Sequence, residues 1–228
     1  MYDIVFISYG EPHADQNFEM LKSKFPMVKR VKDVDGIHQA HVLAAKKCFT
    51  KMFWVVDGDA VLQNDFNFDY EVSEWDLETV HVWRSLNPVN NLEYGYGGVK
   101  LLPRSLTLNM DTTVPDMTTS ISSKFKAMPE VSNMTVFDTD EFSTWKSAFR
   151  ECAKLASRTI KGQVDEETEK RLETWCTVGN GPYGKYAIHG ALIGKHWGEQ
   201  YKDNKEMLYK INDFKWLKEQ FDDYADSI

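Results

Sequence analysis

Apolar and polar positions trade places in a regular order over the first hundred residues. Asp3-Ile4-Val5-Phe6-Ile7-Ser8 is a short apolar run and predicts a strand. Residues 14–24 predict a helix, Val28 to Val31 a second short strand, and 37–50 another helix. Met52-Phe53-Trp54-Val55-Val56 is β-branched and aromatic, the composition of a strand buried on both faces, and this strand runs to Asp57. The β-α-β-α-β order predicts an α/β fold, a mostly parallel sheet flanked by helices. Thr79-Val80-His81-Val82-Trp83 and Val99-Lys100-Leu101-Leu102 predict further strands, separated by the turn-rich Asn87-Pro88-Val89-Asn90-Asn91. Residues 103–140 are mostly polar and carry no clear period.

The pattern then becomes helical. Phe142, Trp145, Phe149, Cys152 and Ala156 share one face of a helix predicted from about Phe142 to Thr159. A second helix is predicted over 165–176, opening on Asp165-Glu166-Glu167, acids that suit a helix N-terminus. Gly179 to Gly184 reads as a loop, and a last helix covers about 204–222. With no internal repeat and no low-complexity linker, one domain is expected over 1–228. Its sheet-based half covers about 1–102, and a mainly helical half about 103–228.

Bulk properties narrow the function classes. A chain of 228 residues can enclose a sizeable core. No stretch is apolar enough for a membrane span, so no membrane partner is expected. The N-terminus lacks the charged region and cleavage site of a signal peptide. Cys48, Cys152 and Cys176 show no metal spacing, and an odd count without a secretion signal predicts a reducing, intracellular setting. A net charge of −8 argues against coating nucleic acid through bulk charge, while leaving room for a local basic face.

A buried strand does not ordinarily end in acids, which makes Asp57-Gly58-Asp59 the most informative motif. At the carboxyl edge of an open α/β sheet, two such acids can hold a divalent cation. Oxygen ligands suit Mg²⁺ or Mn²⁺ beside a substrate diphosphate. The other reading is an Asp-Gly turn closing a strand. Ser8-Tyr9-Gly10-Glu11-Pro12 follows the first strand onto the same edge. Tyr9 offers a ring to a nucleobase and Ser8 or Glu11 a hydrogen bond, or the segment is a turn punctuated by Gly and Pro.

Asp33-Val34-Asp35-Gly36-Ile37-His38-Gln39-Ala40-His41 leads into a helix, with Asp35 a candidate cap and His38 and His41 one turn apart. No nearby third ligand supports zinc. One histidine contacts a diphosphate or sugar, or both are ordinary packed histidines. Tyr94-Gly95-Tyr96-Gly97-Gly98 allows close backbone approach and offers flat faces to a sugar, or forms a hairpin or bulge. It lacks the ending of a phosphate-binding P-loop.

Lys146, Arg150, Lys154 and Arg158 recur every fourth residue on one helix face. They form a positive ridge for a phosphate backbone, or a solvated face. Asp138, Asp140 and Glu141 stand at that helix's start, as a general base for an acceptor hydroxyl or as caps. Late in the chain, His189 or His196 completes a metal shell begun by Asp57 and Asp59, or is a core or surface histidine.

Taken together these motifs resemble the nucleotide-sugar glycosyltransferases of the GT-A fold, which pair a Rossmann-like N-terminal half with an Asp-x-Asp motif at a strand end. The resemblance implies a nucleotide-sugar-binding half and an acceptor-binding half. It implies Mn²⁺ or Mg²⁺ on Asp57 and Asp59 with His189 or His196. It also implies donor contacts from Ser8, Tyr9, Glu11, Tyr96, Gly97 and Gly98, and Asp140 or Glu141 as base; Gly36, His38, His41 and Gly58 are read as further donor contacts from their place in the motifs.

Tyr94-Gly95-Tyr96-Gly97-Gly98-Val99-Lys100-Leu101 and Thr144-Trp145-Lys146-Ser147-Ala148-Phe149-Arg150-Glu151-Cys152 are further similar to small glycosyltransferase-like proteins of T-even-type bacteriophages. That likeness implies transfer of glucose, or a pentose such as arabinose, from a UDP-sugar to 5-hydroxymethylcytosine in double-stranded DNA. The setting would be the cytoplasm of the infected bacterial host, and the basic stripe would guide the duplex. The alternatives are a GT-A enzyme acting on a glycan or lipid-linked acceptor, and a non-catalytic nucleotide- or DNA-binding module.

Overall fold

Ile4, Val5 and Phe6 carry strand β1 (Asp3–Ser8), and helix α1 (Ala14–Lys24) returns the chain to β2 (Lys29–Lys32). Helix α2 (Ile37–Lys46) leads to β3 (Met52–Asp57), whose five apolar residues are all buried. Gly36, and not Asp35, is the N-cap of α2, and no side chain caps that end. The structure is a computed structural model and describes residues 1–95, 97–160 and 163–225.

Beyond β3 come β4 (Ala60–Leu62), β5 (Val80–Leu86), β6 (Glu93–Tyr94) and β7 (Val99–Pro103). Two short helices follow, α3 (Arg104–Leu108) and α4 (Met117–Ile121), and then the long strand β8 (Phe125–Thr135). Among the described residues the strands form one sheet in the order β2-β1-β3-β7-β5-β8-β4, with β6 beside β5. β2, β1 and β3 pair in parallel. β7 runs antiparallel between β3 and β5, β8 lies parallel to β5, and β4 closes antiparallel on β8. The sheet is therefore mixed, with β1, β2, β3, β5 and β8 sharing one direction.

Gly58 and Asp59 alone join β3 to β4, yet the two strands stand four places apart in the sheet. A flat sheet would separate them by about 19 Å, at about 4.8 Å per strand. Three peptide steps reach only about 11 Å. The sheet must therefore curl, and the acid-bearing link is the stitch that closes the curl. Trp54 of β3 is fully buried, meeting Phe66, Phe68 and Trp83 with ring centroids 6.2, 5.1 and 4.5 Å away.

The chain forms two compact units: Met1–Asn87, Glu93–Asp111 and Ile121–Val136 in the first, Pro88–Leu92, Thr112–Ser120 and Phe137–Ile228 in the second. Residue 102, expected as the division, falls inside the first unit, in β7 paired with β3, and β8 returns to that unit further along. Pro129 marks that strand's difficulty. It lies where the register against β5 shifts, between Met128 opposite Trp83 and Val131 opposite Arg84, and a bulge is where a strand tolerates proline.

The second unit contains α5 (Glu141–Ala156), α6 (Asp165–Thr177), α7 (Gly184–Tyr201), α8 (Lys205–Tyr209) and α9 (Phe214–Ala225). The single helix expected over 204–222 is two, broken by a 3₁₀ turn at Lys210–Asn212. Helix α7 was not expected: Gly179 to Gly184 reads as a loop, and the sequence pattern assigns no element between it and residue 204. A Cβ on Gly190, Gly194 or Gly198 would lie 2.4, 2.2 or 2.4 Å from the carbonyl oxygens of Trp145, Phe149 and Ala153. The matched four-residue spacings let α7 press its backbone onto α5. Among the described residues no helix is long and apolar enough to cross a membrane.

Candidate functional site at the carboxyl edge of the sheet

From β1 the chain crosses through α1 to β2 on one side, then through α2 back over to β3 on the other. The carboxyl ends of β1 and β3 thus flank the point where the strand order reverses, the place where open α/β sheets bind ligands. Residues 8–11 leave one of these ends and Asp57-Gly58-Asp59 the other. The two segments touch. A Cβ on Gly58 would lie 2.5 Å from Glu11 Oε2 and 3.0 Å from Ser8 Cβ, so a side chain in the middle of the acid motif would have to push the Glu11 carboxylate aside.

Three hydrogen bonds pin the acid turn. Gly98 O accepts from Asp57 N at 2.9 Å, Gly58 O from Asn17 Nδ2 at 3.0 Å, and Asp59 O from Val136 N at 2.8 Å. Glu11 folds back over its own loop, its Oε2 accepting from Tyr9 N at 2.7 Å, while Tyr9 itself is exposed. Ser8 is buried, and its hydroxyl accepts from Arg30 Nη2 at 3.0 Å. Behind Gly98 lies a buried polar group: Ser85 Oγ and Ser132 Oγ donate to Asn133 Oδ1 at 2.7 and 2.8 Å, and Asn133 Nδ2 donates to Thr135 Oγ1 at 3.0 Å.

The residue that sequence reasoning missed is Lys100. It sits in the apolar run of β7, 3 % exposed, and its ammonium donates to Asp57 Oδ1 and Oδ2 at 2.8 and 2.7 Å and to the Gly97 carbonyl. A signal was present: lysine is almost never buried without a partner, and Val99-Lys100-Leu101-Leu102 reads as a buried strand. Asp59 is the less comfortable acid. Desolvation, and then the charges of Asp57 and Glu11, push its carboxyl up to about 7 against a smaller opposing effect of Lys100.

His38 and His41 are both buried on α2. His41 Nδ1 lies 2.8 Å from the Ile37 carbonyl, to which it donates. Burial, with the charge of Lys100, pulls its pKa down to about 3, so it is a neutral packed imidazole. Gly36, Gly97 and Gly98 belong to the same unit; Tyr96 lies outside the described residues.

The remaining candidates lie in the second unit. Asp140 is the N-cap of α5, accepting from Ser143 N and Ser143 Oγ at 2.7 Å each. Burial would raise its pKa, but these bonds, with Thr139 and the charge of Lys146, outweigh it and hold the carboxyl below its ordinary range. That favours the capping reading. Glu141 accepts from Tyr186 Oη at 2.6 Å, which raises the tyrosine's pKa. His189 Nδ1 accepts from Trp145 Nε1 at 3.0 Å, so its Nδ1 lone pair is engaged and Nε2 carries the ring proton. His196 is exposed on the same helix.

The basic stripe is spent within this unit. Lys146 lies 4.5 Å from the Phe214 ring centroid. Arg150 donates to the Ile211 carbonyl at 2.7 Å and to Asn212 Oδ1 at 3.1 Å. Lys154 pairs with Glu151 at 3.3 Å and Asp116 at 3.8 Å. Arg158 bridges Asp165 and Glu169 at 3.0 and 2.6 Å. These contacts account for the four cations without a phosphate backbone.

In kind, the oxygens of Asp57, Asp59 and Glu11 fit Mg²⁺ or Mn²⁺, and the strain on Asp59 is what a cation would relieve. As arranged, Asp57 already faces Lys100, and among the described residues no group of three or more His, Cys, Asp or Glu side chains stands ready to hold a metal. No protein-family model matches the chain, and no curated protein matches it. The likeness to GT-A enzymes therefore rests on the motif residues alone.

Proposed function

We propose that the chain is a nucleotide-sugar glycosyltransferase whose UDP-sugar donor binds at the carboxyl ends of β1 and β3. The observation that carries this reading is the contact between the acid turn and the β1 loop at the reversal of strand order, where Gly58 lies directly beneath Glu11 and Ser8. In this reading Tyr9, exposed on that loop, stacks on the base. Asp57 and Asp59 would hold Mn²⁺ or Mg²⁺, which when bound neutralises charge on the departing diphosphate. The bond between the anomeric carbon and the diphosphate oxygen breaks, and a bond from that carbon to an acceptor hydroxyl oxygen forms. The hydroxyl proton passes to a carboxylate.

The acceptor proposed from the phage likeness is 5-hydroxymethylcytosine in duplex DNA, whose hydroxymethyl group lies in the major groove. The engagement of Lys146, Arg150, Lys154 and Arg158 favours a second acceptor class, a glycan or lipid-linked hydroxyl, which needs no cationic ridge. Mass spectrometry after incubation with a panel of UDP-sugars, Mn²⁺ and either hydroxymethylated DNA or glycan acceptors tests both. Sugar added to the DNA supports the first, and sugar added only to glycans the second. Neither transfer nor UDP release, with Asp57→Asn and Asp59→Asn indistinguishable from wild type in UDP binding, refutes the donor site.

A further inference from the structure

Lys100 is an unusual neighbour for a cation site. Its ammonium has three N–H donors, and three acceptors use them: the two oxygens of Asp57 and the Gly97 carbonyl. Its side chain is only 4 % exposed while Asp57, itself 32 % exposed, stays in place, so solvent satisfies little of the ammonium as the site stands. The acid that the motif offers to a metal is already neutralised by the protein. A divalent ion arriving alone must take Asp57 from Lys100 and leave a buried ammonium with one carbonyl for company, while adding two positive charges beside it. A nucleoside diphosphate changes that balance, because its oxygens can accept the displaced N–H groups.

We infer that Lys100 is a positioning residue that makes divalent-cation binding at Asp57 conditional on the nucleoside diphosphate. The inference rests on the donor reading above. The cation joins Asp57 only when the diphosphate is present to take over the lysine, so metal and nucleotide bind as a coupled pair. By linkage the coupling is reciprocal, the cation tightening UDP by the factor by which UDP tightens the cation. The Gly97 carbonyl keeps the ammonium at the site during the exchange.

The test is Mn²⁺ binding to the full chain, read as loss of the free Mn²⁺ electron paramagnetic resonance signal, with and without UDP. Wild type, Lys100→Met and the charge-keeping Lys100→Arg are compared, each checked for a cooperative melt. Wild type is expected to bind Mn²⁺ weakly without UDP. Lys100→Met is expected to bind Mn²⁺ about tenfold more tightly than wild type without UDP, within the usual range of coupling effects, and UDP should then add less to that affinity. Lys100→Arg should stay close to wild type. A purely structural lysine would not raise metal affinity when removed.

Micromolar Mn²⁺ binding by nucleotide-free wild type overturns the inference, and so does a folded Lys100→Met with unchanged affinity. If Lys100→Met does not fold, the wild-type titration alone decides. Failure of wild type to bind UDP even with Mn²⁺ overturns the donor reading and this inference with it. UDP binding with an unchanged Lys100→Met overturns the inference alone.

Discussion

Arg150→Gln separates a structural stripe from a nucleic-acid-binding one. The guanidinium donates to the Ile211 carbonyl at 2.7 Å and to Asn212 Oδ1 at 3.1 Å, and lies 5.0 Å from the Phe214 ring centroid. Glutamine is shorter and neutral and reproduces none of the three together. A hydrogen bond from a charged donor contributes about 1.5–3 kcal/mol, and an exposed cation–π contact about 0.5–1 kcal/mol. Two such bonds and the ring contact sum to about 3.5–7 kcal/mol, but the site is half-buried and the freed oxygens regain some water, so the expected loss is about 2–3 kcal/mol, below that sum. For a chain of this size that lowers the melting midpoint by roughly 5–10 °C. Urea unfolding followed by the fluorescence of Trp145, Trp197 and Trp216, all in the second unit, measures it. The slope of log DNA affinity against log salt should not change. A stability within about 0.5 kcal/mol of wild type, with a salt slope flattened by about one unit, would refute the structural account and restore a phosphate contact.

Other outcomes follow from the same geometry. Gly194→Ala places a methyl 2.2 Å from the Phe149 carbonyl and must part α5 from α7. Overpacking of about 1–3 kcal/mol outweighs the roughly 1 kcal/mol gained in helix propensity, so calorimetry should show a net loss, and a raised midpoint would sink the argument. Asp3→Asn tests acid stability. Burial works against ionised Asp3, but the Lys29 ammonium and the Phe49 and Thr50 amides outweigh it and hold the pKa at about 2. A depressed carboxyl stabilises above its unfolded pKa, so wild type should exceed Asp3→Asn by about 1–2 kcal/mol at neutral pH after screening. The gap should close between pH 3.8 and about 2, and a gap independent of pH would contradict the assignment. Asp57→Ala orphans a buried ammonium and should cost about 2–4 kcal/mol, discounted because Asp57 is partly exposed. The double variant Asp57→Ala/Lys100→Met should recover most of that, and strict additivity in the cycle would mean that the pair does not couple.

Why some of this was readable and some not comes down to what a linear pattern encodes. β1, α1 and β3 appear at their expected bounds, because each is a local run whose own residues choose its conformation and bury one face or both. β8 escaped because its far end is polar by necessity: Ser132, Asn133 and Thr135 are buried and satisfied by one another and by Ser85, partners 48 residues away along the chain. A hydrophobic period cannot announce a strand stabilised that way. α7 escaped for the opposite reason. Its glycines are poor helix formers singly, and become intelligible only when Gly190, Gly194 and Gly198 are matched to Trp145, Phe149 and Ala153 on a helix forty-five residues earlier.

The site divides in the same manner. Asp57-Gly58-Asp59 was visible because acids contradict the strand that precedes them, a conflict contained within eight residues. The glycine between them was explicable only in three dimensions, by the Glu11 carboxylate and Ser8 Cβ that a Cβ there would crowd. The charged stripe shows a limit of the linear pattern. Four-residue spacing places Lys146, Arg150 and Lys154 on one face of α5, while Arg158, at φ +56°, lies past the helix end at Ala156. The spacing cannot tell whether that face looks at water, at phosphate or at the chain's own carbonyls and acids. Lys100 joins both lessons. It breaks an apolar run as plainly as the acids end one, and a buried lysine requires an acid within reach. The acid pair therefore required a search for its counter-charge before a metal was assigned to it. Val99-Lys100-Leu101-Leu102 supplies that counter-charge from the neighbouring strand, where Lys100 stands opposite Val55, two residues before Asp57.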